Sequence, residues 1–255
     1  MAAAATRDVI VGIDAGTSVI KAVAFARNGR QLGDFAIPNS YTTAPGGRVE
    51  QDMERTWSDT VAALRGLGAA LPDLSRRVAA IAVTGQGDGT WLIDADGCPL
   101  APALLWLDSR AASLVETFRA GERNAAHYQR TGSGLNACQQ GPQLAWLQAH
   151  DADMLARAGT VFHCKDWLYF KLTGKAATDP SEACFSFGDF RSRAYSDSVI
   201  EFLDLGKVRH LLPEIVDGVR QHHALTDAAA ALTGLRAGGA RLCRCRLHGA
   251  GSRAL

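Results

Sequence analysis

The chain has 255 residues, of which 47% are hydrophobic, so it can bury one large core or two modest ones. Its formal net charge of +1 creates no strong field toward a nucleic acid or an anionic membrane surface. No stretch approaches the roughly 20 apolar residues of a membrane span, and the amino terminus lacks an apolar segment of signal-peptide length. We therefore expect a globular, cytoplasmic protein without a nucleic-acid or membrane partner, and a homo-oligomer stays open.

The first third of the chain predicts a β-sheet. Strand-like apolar runs occupy residues 9–13, 19–26 and 31–37. The Asn28-Gly29 pair between the last two runs is a strong hairpin signal, so the three form an antiparallel meander. Asp52 is a suitable N-cap for an amphipathic helix, and a buried strand follows over residues 78–84. Strands followed by a helix and a further strand indicate an α/β fold.

Further along, two short apolar runs flank the turn-rich residues 94–97 and predict a second hairpin over residues 91–93 and 104–106. Helices are predicted over residues 109–119, 142–149, 165–172 and 196–203. The last twenty residues, 236–255, contain five arginines and no acidic residue. They predict a disordered basic tail. The six cysteines include no Cys-x-x-Cys pair, which favours reduced thiols.

A predicted turn between the first two strands contains the residue types that bind phosphate. Gly16 would let a phosphate approach the backbone, and the hydroxyls of Thr17 and Ser18 would add donors. Asp14 offers an oxygen to hydrated magnesium. Lys21 is the one charged residue on an otherwise apolar strand face, which favours a nearby partner. An ordinary turn that contains Asp and Gly is the alternative interpretation.

A second glycine-rich stretch, residues 84–90, follows the buried strand and lies where open sheets often bind ligands. The dinucleotide fingerprint is not met, because the residues after the glycines predict a strand and not a helix. Gln86 and Asp88 supply an amide and a carboxylate, which suit paired hydrogen bonds to neighbouring hydroxyls of a polyol. A turn with solvated side chains remains the alternative.

Four motifs occur in one order along the chain. They are D-x-G-T-S-x-x-K from Asp14, G-Q-x-D-G from Gly85, L-W-x-D-x-R from Leu105 and K-D-W-L-x-x-x-L-T-G-x-x-x-T-D-x-S-x-A from Lys165. Together they resemble the amino-terminal domain of the FGGY carbohydrate kinases, and G-Q-G-D-G-T-W-L is most similar to the erythritol kinase branch. The resemblance implies an actin-like, ribonuclease-H-like lobe over residues 1–235, with a mixed sheet flanked by helices.

The resemblance also implies roles for individual residues, with ATP and Mg²⁺ as cofactors. The cofactor-binding set is Asp14, Gly16, Thr17, Ser18 and Lys21, with Asp14 also near the metal. The substrate-binding set is Gln86, Gly87, Asp88 and Trp106, the last as an apolar wall for the carbon chain. Structural roles, such as helix caps and buried ion pairs, are expected for Asp108, Arg110, Lys165, Asp166 and Asp179.

The implied activity is ATP-dependent phosphorylation of a sugar or sugar alcohol, such as erythritol, a pentitol or a ketopentose. Residues 136–139 lack the aromatic residue that some relatives place over the sugar, which suits a linear polyol. After residue 235 the family continues into a strand that bears the general-base aspartate and then into an ATP-binding lobe. Here the last aspartate is Asp227, a pattern that a frameshift or a wrong gene end would produce.

On this interpretation the catalytic residue is unknown and the chain alone is inactive. The alternatives are a non-catalytic polyol-binding remnant and, third, another member of the actin-like ATPase group.

Overall fold

The computed structural model describes residues 7–218, 220–238 and 241–244, with only the backbone of the last four. The strands are β1 Val9–Ala15, β2 Val19–Ala26, β3 Gln31–Pro38, β4 Thr42–Ala44, β5 Arg48–Gln51, β6 Val78–Gly85, β7 Trp91–Ile93, β8 Ala103–Leu104, β9 Thr160–Phe162, β10 Ala177–Thr178, β11 Gly188–Asp189, β12 Ala194–Tyr195, β13 Glu214–Ile215, β14 His223–Ala224 and β15 Arg241–Arg244. The helices are α1 Met53–Ala70, α2 Leu74–Arg77, α3 Ala112–Ala120, α4 Asn124–Thr131, α5 Gln140–His150, α6 Ala152–Arg157, α7 Cys164–Thr173, α8 Pro180–Phe187, α9 Asp197–Phe202 and α10 Asp227–Thr233, with a 3-10 helix at Gly206–Leu211.

The main sheet is mixed and has the strand order β14-β15-β6-β1-β2-β3 in the described part of the chain. Strands β1, β2 and β3 form the predicted antiparallel meander. Strand β6 follows α1 and lies parallel to β1, so this helix belongs to the crossover that a parallel pair needs. The α/β class with a mixed sheet and a meander is therefore confirmed.

Side-chain alternation explains why one sheet face is covered. Along β1, Val9, Val11 and Ile13 are buried, whereas Ile10 between them is exposed. The buried face packs under α1, α7 and α10. Helix α1 begins where the sequence predicts, because the Asp52 carboxylate accepts a hydrogen bond of 2.9 Å from the Arg55 backbone N–H.

A second apolar cluster lies beside the sheet and consists mainly of helices. Leu144 of α5, Phe187 of α8 and Leu203 after α9 are among its fully buried members. Just before α5, Cys138 O accepts a hydrogen bond of 3.0 Å from the Gly89 N–H, which connects this layer to the loop that follows β6. The helical layer therefore positions one wall of the site described below.

The second predicted hairpin differs from the structure. Strand β7 pairs with β9 and not with residues 104–106. The predicted hairpin is represented only by two isolated bridges in the described residues, Thr90–Leu104 and Ile93–Pro99. Residues 241–244, within the tail predicted to be disordered, form β15, which lies parallel to β6; disorder of the tail as a whole stays a prediction. Residues 239–240 and 245–255 of that tail lie outside the described residues.

Four predicted helices are present at nearly the predicted positions, as α3, α5, α7 and α9. Helix α7 ends at Gly174, whose left-handed backbone closes the helix. None of the helices in the described ranges combines the length and apolarity that a membrane crossing needs.

Candidate functional site

A cavity of about 490 Å³ opens at the carboxyl ends of β1 and β6. These strands are parallel and remain in register to their last residues, where Ala15 pairs with Gly85. The turn after β1 and the loop after β6 therefore leave the sheet side by side. The cavity is lined by Asp14, Gly16, Thr17, Thr84, Gly85, Gln86, Gly87, Asp88, Trp106, Lys165 and Glu182.

Close packing within the turn between β1 and β2 explains the glycine at position 16. The Gly16 N–H donates to Val19 O at 3.0 Å, and a Cβ atom at position 16 would lie 3.0 Å from that same oxygen. A larger residue would crowd the turn, so glycine is favoured here even without a ligand. Because its N–H is already bonded, Gly16 offers a close approach and not a donor. Its role in phosphate binding stays a prediction.

Asp14 lies at the rim of the cavity, directly across the β1–β2 ladder from Lys21. Loss of surrounding water raises the pKa of Asp14 above its usual value, and the Lys21 charge opposes that shift. Lys21 Nζ lies 3.6 Å from Asp34 Oδ2, an exposed ion pair. Lys21 and Ser18 are not among the residues that line the cavity, although Lys21 lies next to Asp14 across the ladder.

Side-chain hydrogen bonds join the turn, the glycine-rich loop and the Trp106 segment. Thr17 Oγ1 donates to Gln86 Oε1 at 3.1 Å and accepts from Trp106 Nε1 at 2.9 Å. Gln86 Nε2 donates to Gln51 Oε1 at 2.6 Å. Gln86 also contacts the buried Cys164 thiol, where its hydrogen bond opposes the rise in the Cys164 pKa that burial causes. Gln51, at the end of β5, was not anticipated from the sequence.

Asp88 has a left-handed backbone conformation, with φ at 57°. This conformation is uncommon for a residue with a side chain and often marks a functional position. Gly89 follows with φ at +80°, and a Cβ atom there would lie 2.6 Å from Leu104 O, so only glycine fits. The Cys138 thiol donates to Asp88 Oδ2 at 3.4 Å. Burial and the Asp88 charge raise the pKa of Cys138 to about 12.

Buried charges form the floor beside the cavity. Lys165 Nζ lies 2.8 Å from Asp166 Oδ1 and 2.5 Å from Asp179 Oδ2. Asp179 also caps α8 by accepting from the Ser181 N–H at 2.7 Å. Burial tends to raise the pKa of Asp179, but Lys165 holds it below the usual range. The predicted structural roles of these three residues agree with the contacts, although Lys165 also lines the cavity.

Asp108 and Arg110, the other two residues with predicted structural roles, form a separate group of ion pairs. Arg110 Nη2 is 2.9 Å from Asp108 Oδ2 and 2.8 Å from Glu50 Oε1. Asp108 Oδ2 also accepts from the Val49 N–H at 2.8 Å. These contacts fasten the Trp106 segment to β5 and thereby hold the tryptophan at the cavity.

Glu182 is a cavity residue that the sequence analysis did not single out. It occupies an unspecified position of the longest motif and reaches the cavity from α8. Its carboxylate Oε2 lies 3.7 Å from His163 Nε2, while His163 Nδ1 lies 3.4 Å from Asp166 Oδ2. Burial lowers the pKa of His163, but Asp166 and Glu182 outweigh burial and raise it.

The donor set at the cavity suits a magnesium-bound phosphate better than a resident metal. Within the described ranges, no cluster of three or more His, Cys, Asp or Glu side chains could hold a metal ion. Asp14 offers one carboxylate beside the Thr17 hydroxyl. Magnesium is commonly held by one or two carboxylates together with substrate phosphates and water, so these residues fit a magnesium–nucleotide complex.

Comparison with known proteins supports the likeness that the four motifs indicate. The sequence profile "FGGY family of carbohydrate kinases, N-terminal domain" matches residues 9–239. An erythritol kinase of Brucella abortus (strain 2308) is 56% identical over 231 residues, which are 91% of this chain and 44% of that protein. A xylulose kinase of Klebsiella pneumoniae is 31% identical over 82% of this chain and 42% of that protein.

The fold has close structural relatives as well. The crystal structure of a xyloylose kinase from Brucella ovis superimposes with a TM-score of 0.83 at 27% identity, over 92% of this chain and 48% of that one. The predicted fold class is therefore confirmed. The chain spans less than half the length of these relatives, and the domain boundary predicted at residue 235 stays a prediction.

Proposed function

The chain belongs to the FGGY family of carbohydrate kinases, and we propose that its cavity is the substrate half-site of an ATP-dependent kinase for a short linear polyol. Erythritol is the first candidate, supported by the 56% identity to the Brucella abortus protein. The absence of aromatic residues at positions 136–139 also favours a linear substrate. Phosphoryl transfer itself is proposed for full-length proteins of this kind.

One observation carries the proposal: the Asp88 carboxylate, held in a left-handed loop, shares a cavity with Trp106, Thr17 and Asp14. A carboxylate accepts hydrogen bonds from neighbouring hydroxyls, and an indole ring packs against a carbon chain. Trp106 is 45% exposed, so much of its ring surface is available to a ligand. These groups would bind and orient a polyol beside the turn after β1.

ATP, when bound, would supply the transferable phosphoryl group, with its magnesium ion near Asp14. Thr17 would add a hydroxyl donor at the phosphates. Gln86, which is hydrogen-bonded to both Thr17 and Gln51, would fix the position of the loop after β6 relative to the turn after β1. Catalysis of phosphoryl transfer depends mainly on such positioning, since the protein has little covalent chemistry to perform.

Calorimetric titration of the 255-residue polypeptide with erythritol tests the binding proposal. We expect binding that weakens at least about tenfold in Asp88→Asn, because hydrogen bonds to a charged group contribute about 1.5–3 kcal/mol. Asparagine tolerates the left-handed backbone, so the fold should persist. Asp96→Asn, on an exposed turn, is the matched control and should bind normally. Equal binding by Asp88→Asn and the control would refute the role of Asp88.

A coupled assay of ADP release with the same polypeptide tests the expectation that these residues lack the catalytic base. Turnover in the ordinary range of about 1–100 per second would show that the expectation is wrong. Binding without turnover would agree with a half-site.

A further inference from the structure

Glu182 presents a carboxylate to the cavity from a buried position. The residue is 3% exposed, yet it is one of the lining residues. Its Oε2 atom has no hydrogen-bond donor among the described residues, since His163 Nε2 at 3.7 Å is beyond hydrogen-bond length. Its Oε1 atom faces the loop after β6 and lies 3.5 Å from the position that a Cβ atom at Gly87 would occupy.

Asp166, a neighbouring buried carboxylate, differs from Glu182 in this respect. Asp166 accepts hydrogen bonds of 2.8 Å from the Thr178 hydroxyl and from Lys165. A buried carboxylate oxygen without a hydrogen-bond donor is costly, because it has lost its bonds to water; the His163 ring 3.7 Å away supplies charge but no hydrogen bond to Oε2. A ligand hydroxyl that donates to Glu182 would remove this cost. A ligand carboxylate would instead add a second negative charge in a site of reduced dielectric constant.

The charges of the residues that line the cavity also favour a ligand hydroxyl over a ligand carboxylate. Within the described part of the chain, its charged lining residues are Asp14, Asp88, Glu182 and Lys165. Lys165 is the one cation among these four, and it already pairs with Asp166 and Asp179. The lining is therefore suited to neutral hydroxyl groups and repels an anion, such as a free carboxylate, that brings no cation with it.

We propose that Glu182 is a specificity-determining residue, which accepts a hydrogen bond from a substrate hydroxyl and excludes sugar acids of the same carbon skeleton. This inference rests on the proposed polyol-binding function and extends it to the choice between polyol and acid. The matched pair of probes is erythritol and erythronate, in which one terminal CH₂OH group of erythritol is replaced by a carboxylate.

Calorimetric titrations of the 255-residue protein test this inference, with both probes and three proteins: wild type, Glu182→Gln and Glu116→Gln. Glu116 is exposed on α3 and serves as the control. We expect the wild type and the control to bind erythritol at least about tenfold more tightly than erythronate. In Glu182→Gln, erythritol binding should weaken about tenfold or more, and erythronate binding should stay the same or improve.

A general distortion of the pocket would weaken the binding of both ligands alike. The ratio of the erythritol and erythronate affinities therefore isolates the effect of the Glu182 charge. An unchanged ratio in Glu182→Gln would overturn the inference while leaving the polyol half-site intact. Failure of the folded wild type to bind erythritol would overturn both proposals. If Glu182→Gln fails to fold, Glu182→Ala provides the same comparison without a buried polar group. Unfolding of both variants would mark Glu182 as structural and would also overturn the inference.

Discussion

The Trp106 indole N–H donates a 2.9 Å hydrogen bond to the Thr17 hydroxyl, although the two residues lie 89 positions apart in the chain. Thr17 in turn donates to Gln86. One hydroxyl group therefore joins the turn after β1, the glycine-rich loop and the Trp106 segment. The relative position of the proposed phosphate and polyol groups depends on this shared atom.

The Thr17 junction predicts coupled effects of mutations on stability. Thr17→Val removes the shared hydroxyl, and Trp106→Phe removes the indole N–H while keeping an aromatic ring. Because both changes break the same bond, the double variant should lose less stability than the sum of the single losses. We expect a coupling energy of about 0.5–1.5 kcal/mol, measured by urea unfolding. Strict additivity would contradict the hydrogen bond.

Breaking the buried ion pairs of Lys165 should destabilise the fold strongly. Lys165→Met leaves Asp166 and Asp179 without their cation, and removal of one partner from a buried pair typically costs about 3–5 kcal/mol. Lys207→Met, at an exposed position, is the control and should change the free energy of unfolding by less than about 0.5 kcal/mol. Urea unfolding of both variants measures the difference, and similar small losses would refute a stabilising role for Lys165.

His163 should make the stability depend on pH. Its pKa is raised in the folded protein, since Asp166 and Glu182 outweigh the opposing effect of burial. The stabilisation from its protonated form is therefore fully present below the unfolded-state value of 6.5. It is lost as the pH rises through the higher folded-state pKa.

We expect the stability difference between wild type and His163→Gln to be largest near pH 6 and to shrink toward pH 9. Urea unfolding across this range provides the measurement. Gln129→Ala, a change at an exposed position without a titrating side chain, is the control and should show a difference that does not vary with pH. A wild-type advantage that grows as the pH rises would contradict a raised pKa for His163.

Cys138 should react slowly with thiol reagents despite being a free cysteine. Burial and the Asp88 charge raise its pKa to about 12, and the thiolate is the reactive form. Cys98, which is free and exposed, should be alkylated much faster at pH 8. Peptide mapping by mass spectrometry distinguishes the two sites.

Asp88→Asn should increase the labelling rate of Cys138 and leave that of Cys98 unchanged, because only Cys138 contacts the carboxylate. Rapid labelling of Cys138 in the wild type would show that the Asp88–Cys138 contact is absent in solution.

Local patterns in the sequence predict much of the sheet and the two loops that line the cavity. The meander, the Asp52 cap and the β6 strand depend on alternation, turn residues and capping, which act between near neighbours. The partner of β7 could not be predicted in this way, because β9 lies far along the chain and an apolar run does not specify its partner.

The same limit applies to the site. The turn after β1 and the loop after β6 carry recognisable residue types, so Asp14 and Asp88 could be identified from the sequence. Gln51 and Glu182 reach the cavity only through tertiary packing, from the end of β5 and from α8. Neither has a local pattern that marks it. Lys21 has a conspicuous position on its strand, yet the fold directs it toward Asp34.

The parallel register of β1 and β6, which ends at Ala15 and Gly85, places the cavity where the ladder stops, so that most of the lining residues lie beyond the paired strands. Substitutions in the two loops leave the backbone hydrogen bonds of the ladder in place. A lineage built on this scaffold can exchange one ligand preference for another with little loss of foldability, which makes the architecture readily evolvable.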